Sequence, residues 1–187
     1  MAEEKKRRGR RDHLNDFYRD VSGNYVYTGV CYEHTGGVRA NTALLRRLRL
    51  MAAVMAAAVL AGGCISAPGV GRCFYVLLPY AAQIGVTGSV VWAVARWQVR
   101  EYPLREYIYR ATVQALPGRC LAQAVLAGVG LAAETLYLLL SGSDGRGAAA
   151  AIYLLLQACV LVLALLTRRA VLASDWQMEK HGGLTAE

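Results

Sequence analysis

Four long apolar runs divide the chain, and polar or basic stretches separate them. They cover about residues 50–67, 74–95, 119–140 and 148–166, each long enough to cross a bilayer as a helix. The third run, RCLAQAVLAGVGLAAETLYLLL, carries one acidic residue, Glu134. At helical spacing Gln123, Ala127, Gly130, Glu134 and Tyr137 fall on one stripe, and Leu, Val and Ala fill the rest. A carboxylate in hydrocarbon is costly unless it finds water, a partner or a proton. The stripe therefore predicts polar neighbours on other helices.

The first run is rich in Ala and Gly, as suits a helix packed closely against others. Ala61-Gly62-Gly63-Cys64 at its end echoes a lipoprotein cleavage box, but the polar region before it is far too long for a leader. The second run ends near Trp92 and Trp97, read as an interfacial belt. Between the second and third runs Pro103 opens a pattern in which Leu104, Ile108, Ala111 and Ala115 share a face. That pattern predicts an amphipathic interfacial helix over about 103–116, ended by Pro117-Gly118. The alternative is a polar connecting loop.

The first 49 residues are of a different kind. Residues 1–16 form a charged run, predicted disordered. The segment 17–36 follows, with Ser22-Gly23-Asn24 as a turn signal between stretches rich in Tyr and Val. It predicts a β-hairpin from about Phe17 to Glu33. Its second strand puts Tyr25, Tyr27 and Cys31 on one face and Val26, Thr28, Val30 and Tyr32 on the other. An isolated hairpin is marginal in water, so Tyr25, Tyr27 and Tyr32 are candidate contacts for a partner or a second copy. Residues 168–187 form a tail with Trp176 and His181.

Charge turns these runs into a topology. The chain has 187 residues, 18% of them charged, and a formal charge of +8. Of its 21 Lys and Arg residues only Arg72 and Arg146 lie in the first and third loops. The other basic residues lie in the N-terminal region, the second loop and the tail, so the positive-inside rule predicts both termini cytoplasmic, with Ser143 outside. Basic clusters beside apolar spans meet anionic lipid more readily than nucleic acid, and no nucleic-acid partner is expected.

In that orientation Tyr80 precedes Gln83, Tyr137 lies outside Glu134, and Tyr153 precedes Gln157. At helical rise Gln83, Glu134 and Gln157 lie roughly 9–15 Å below the outer surface, a candidate polar layer. It reads either as interhelical glue, a Glu held by two amides, or as a vestibule for a cation, proton or amine. Other chemistry is poorly represented. The five cysteines form no CxxC and no Cys/His array, and Cys31, Glu33 and His34 lack a second cluster to complete a metal site. Cys64 and Cys73 fall near one membrane face and are read as unpaired, a disulfide being the alternative. No phosphate-binding, metalloprotease or nucleophile-elbow motif occurs. Gly128-Val-Gly130 sits mid-span with no preceding strand, so it is not a dinucleotide fingerprint.

The expected fold is an all-α membrane protein of four transmembrane helices in two hairpins. A cytoplasmic interfacial helix and a small N-terminal β-hairpin complete it. The expected function is non-enzymatic and cofactor-free: a scaffold or accessory subunit in the cell membrane. The alternative is a small oligomeric transporter or channel using Glu134.

Overall fold

The computed structural model describes residues 17–19, 25–27, 29–99, 102–142 and 145–180. The elements run β1 (Phe17–Arg19), β2 (Tyr25–Tyr27), β3 (Val30–His34), α1 (Gly37–Cys64) and α2 (Phe74–Gln98). Then come β4 (Leu104–Arg105), α3 (Glu106–Tyr109), a π turn (Arg110–Gln114), α4 (Leu116–Ser141), α5 (Gly147–Leu172) and β5 (Trp176–Lys180). Four long helices make the body, each packed on two neighbours in the cyclic order α1, α2, α4, α5.

The packing follows from spacing. α2 buries Val76, Tyr80, Gln83, Thr87, Val90, Val94 and Trp97. α4 buries Leu116, Cys120, Gln123, Ala127, Gly130, Glu134 and Tyr137. α5 buries Ala150, Tyr153, Gln157, Val160, Ala164, Thr167 and Val171. In α1 the stripe is Leu48, Ala52, Met55, Val59 and Gly62. Steps of four and three alternate in every helix, the seam of a left-handed coiled bundle. The stripe predicted on α4 is buried at all five positions.

Apolar side chains are not confined to the interior, as they would be in a water-soluble bundle. Gln83, Gln123 and Glu134 are 0% exposed. On the outside, Leu78, Trp92, Leu139 and Leu155 are each at least 65% exposed. Large exposed apolar surface around a polar-seamed interior fits lipid rather than water. Three helical stretches, Phe74–Gln98, Glu106–Ser141 and Gly147–Leu172, are long and apolar enough to cross a membrane. α1 stands apart because Arg39, Arg46, Arg47 and Arg49 lie within its first half.

A three-stranded antiparallel sheet, ordered β4-β3-β5, caps one end. Cys31 faces Arg105 and Tyr32 faces Leu104 on one side of β3. On its other side β3 pairs with β5 from Val30 opposite Lys180 to His34 opposite Trp176. The N-terminal segment, the second loop and the tail thus meet at the same end of the bundle. These are the three segments that hold nearly all the basic residues.

Several expectations change here. The hairpin is shorter than predicted: β1 pairs with β2 (Phe17 opposite Tyr27), but Val30–His34 leaves for the other sheet. The two tyrosine-rich stretches are therefore separate strands, because β3 pairs over its whole length with β5 and adds β4 on its other edge. Its turn, Ser22-Gly23-Asn24, and residues 1–16 lie outside the described residues. No separate interfacial helix covers 103–116. Leu104–Arg105 is strand, and Glu106 begins a helical stretch that continues through Pro117 into α4. Proline lacks the N–H that an i−4 bond would need. The π turn ends just before it, and Pro117 occupies the first turn of α4, where that N–H is dispensable. The tail is likewise ordered to Lys180 as β5.

Candidate functional site

Of the side chains expected to share a polar layer, Gln83, Gln157, Tyr80 and Tyr153 meet inside the bundle. Gln83 Nε2 donates to Gln157 Oε1 at 2.8 Å, and Gln157 Nε2 donates back to Gln83 Oε1 at 3.0 Å. Gln157 Nε2 also donates to the Tyr153 hydroxyl at 2.9 Å. Tyr80 donates its hydroxyl to the Val59 carbonyl at 2.8 Å, tying α2 to α1. Its ring lies 6.3 Å from that of Tyr153, between centroids. Gly130 packs against Gln157, and a Cβ there would sit in ordinary contact with the Gln157 amide at 3.5 Å from Nε2.

Toward the sheet end a second bridge links α4 to α2. Gln123 Nε2 donates to Thr87 Oγ1 at 2.8 Å, while that hydroxyl donates to the Gln83 carbonyl at 2.7 Å. Gln123 lies on the stripe predicted for α4, and Thr87 lies one turn beyond Gln83 on the buried face of α2.

Glu134 departs from the glue expected of it. Neither glutamine holds it. The backbone N–H of Gly69, in the loop between α1 and α2, donates to its Oε1 at 3.3 Å, and Oε2 is buried with no partner. Gly69 is itself buried, and a Cβ there would run into the Glu134 carboxylate and approach Val76 Cγ2 at 3.1 Å. The glycine is thus what allows the loop to fold over the carboxylate. Tyr137 is buried one turn away at 4% exposure. Between Ala58, Gly62, Tyr80 and Tyr153 the interior void is too tight for a water molecule.

The tyrosines assigned to partner contact divide. Tyr25 and Tyr27 lie on β2, paired with β1. Tyr32 is engaged within the chain: its ring stacks on Tyr109 at 4.1 Å and 4°. Around it Trp176 packs edgewise or tilted on His34, Trp97 and Tyr109, with centroids 5.4–5.6 Å apart. Trp97, expected in an interfacial belt with Trp92, is only 2% exposed because the sheet covers it. His34 is fixed by its neighbours: Nδ1 accepts from the Gly36 backbone N–H at 3.0 Å, and the His34 backbone N–H donates to the Tyr102 hydroxyl at 3.0 Å. Among the described residues no His, Cys, Asp and Glu cluster could hold a metal. Cys64 and Cys73 are free thiols, like Cys31, Cys120 and Cys159.

Compared with known protein families, characterised proteins and solved structures, the chain matches none.

Proposed function

We propose that this chain is a four-span, non-enzymatic protein of the cell membrane, a scaffold or accessory subunit that meets its partner at its cytoplasmic end. The observation that carries the reading is the reciprocal Gln83–Gln157 pair. Amides that satisfy one another across a bundle hold helices together, whereas a conduit keeps polar groups turned toward water.

Connectivity supports four spans. The uncharged part of α1 after Arg49 is 15 residues or about 22 Å, short of the ~30 Å hydrocarbon thickness. Yet β3 precedes α1 and β5 follows α5, and the two strands pair with each other. An even number of crossings is required to bring them to one side. α1 lies along both α2 and α5, so it would cross with them, with Arg46, Arg47 and Arg49 at the cytoplasmic interface.

The partner surface is the sheet. No described strand pairs with the outer edge of β5, where Met178 is 62% exposed. An unpaired edge is a template for another chain. A photo-crosslinking residue at position 178, irradiated in native membranes, should capture a discrete protein, a second copy included. Crosslinks no different from those at lipid-facing position 155 would refute the scaffold reading.

One observation favours the rival, a small transporter or channel for a cation, proton or amine: the unpartnered, buried Oε2 of Glu134. Flux through reconstituted vesicles, lost in Glu134→Gln, would decide for it.

A further inference from the structure

At the sheet end, between the first turns of α1 and the end of α2, lies a cleft of about 1140 Å³. Arg46, Arg47 and Arg49 line it together with Asn41, Trp97 and Leu104. No carboxylate among the described residues pairs with any of the three arginines. Two buried groups beside the cleft lack hydrogen-bond partners: Asn41 Oδ1, on a residue 8% exposed, and Trp97 Nε1, on a residue 2% exposed. One is an acceptor and the other a donor. A hydroxyl can serve both, accepting from the indole N–H and donating to the amide oxygen, whereas a bare phosphate oxygen can serve only the indole.

Below the arginines the same helix turns apolar. Leu50, Ala53, Val54, Ala57, Leu60 and Ala61 recur at three- and four-residue steps along α1, and all are exposed. The arrangement is therefore cationic at one end, apolar along the helix axis, with a donor and an acceptor at the head. A soluble anion uses only the first of these features.

We propose that the cleft binds an anionic glycerophospholipid with a hydroxylated headgroup, of the phosphatidylglycerol type. Its phosphate meets the arginines, its headgroup hydroxyl lies between Trp97 and Asn41, and an acyl chain follows the α1 stripe. Guanidinium groups suit the phosphate because they offer planar, permanently charged donors. The proposal rests on the membrane reading of the bundle but not on the scaffold role.

The test uses the full-length protein, delipidated in detergent and given single lipids, with retention read by native mass spectrometry. Phosphatidylglycerol should be retained about tenfold over phosphatidylcholine, in keeping with the attraction of a few basic residues for an anionic headgroup. The triple variant R46Q/R47Q/R49Q should lose that preference. Trp97→Phe should lower phosphatidylglycerol to the level of phosphatidic acid, which lacks the headgroup hydroxyl. Equal retention of phosphatidylglycerol and phosphatidylcholine by the parent overturns the proposal, as does a triple variant that behaves like the parent. Displacement of the lipid by millimolar inorganic phosphate would assign the site to a soluble anion instead. Release of the protein from membranes by alkaline carbonate would be a different failure, that of the membrane reading itself.

Discussion

Gln83 and Gln157 exchange two hydrogen bonds, of 2.8 and 3.0 Å, between helices that face each other across the bundle rather than lying side by side. Together with the Tyr80–Tyr153 ring contact, this pair ties the diagonal of the ring.

The first prediction concerns that diagonal. Replacing either glutamine by Leu leaves the other amide buried with nothing in place of its partner. Gln83→Leu and Gln157→Leu should each cost about 1–2 kcal/mol in reversible unfolding from micelles. The double variant should cost clearly less than the two added together, since it strands no amide. Additive losses would mean that the two side chains do not act as a pair.

The second concerns the loop over Glu134. Gly69→Ala should destabilise by about 1–3 kcal/mol, because its methyl occupies the space of the Glu134 carboxylate. Combining it with Glu134→Ala should recover part of the loss by opening that space. On the scaffold reading Glu134→Gln folds like the parent, since Gln keeps an oxygen for the Gly69 N–H. A thermal midpoint for Gly69→Ala equal to that of the parent would refute the close approach.

Sidedness is the third. Cysteines introduced at Gly145 and Met178 in a Cys-free background should label from opposite sides of intact cells, position 145 from outside and position 178 only after permeabilisation. Labelling of both from one side would break the topology, since Gly145 precedes α5 and Met178 follows it.

The fourth is chemical. Cys31 is 5% exposed beneath the sheet, and its burial holds the thiol above its ordinary pKa, against the opposing pull of Arg105 and with smaller upward pushes from Glu179 and Glu33. The neutral thiol is the form the fold favours. Its contribution is therefore complete below the unfolded-state pKa and is lost as pH rises through the folded one. In the folded protein maleimide should react with Cys64, which is exposed, well before Cys31 at neutral pH. Stability should fall at alkaline pH by less in Cys31→Ala than in the parent. Equal labelling rates at the two cysteines would contradict the burial.

The readable parts of the sequence were those with local periodicity. The α4 stripe from Gln123 to Tyr137 repeats every three or four residues, so its buried face followed from spacing alone. The grouping of basic segments likewise anticipated which parts of the chain lie together, though not that they pair as strands. What escaped depended on partners distant in sequence. Val30–His34 looks like half of a local hairpin until Trp176–Lys180 returns beside it. Trp97 has the sequence setting of an interfacial residue, and only the sheet above it explains its burial. Pro117-Gly118 carries a stop signal that the π turn overrides. Gln83, Gln157 and Glu134 are all buried, but depth along a helix does not say which side chain reaches which. Gly69, in a loop with no periodicity, gave no sign that its N–H would meet Glu134.

The β3–β5 pairing also fixes an order of events during synthesis. β3 is made before any of the long helices, and its partner emerges only after α5, some 140 residues later. At ordinary translation speeds that is a wait of roughly 10–30 s. Throughout it one edge of β3 stays open, and it closes only when α5 has brought the chain back to the end of the bundle where β3 lies. A nascent chain that stalls before α5 keeps an adhesive strand on display; a finished one has hidden it. Closure of the sheet therefore requires that all four long helices have already been made.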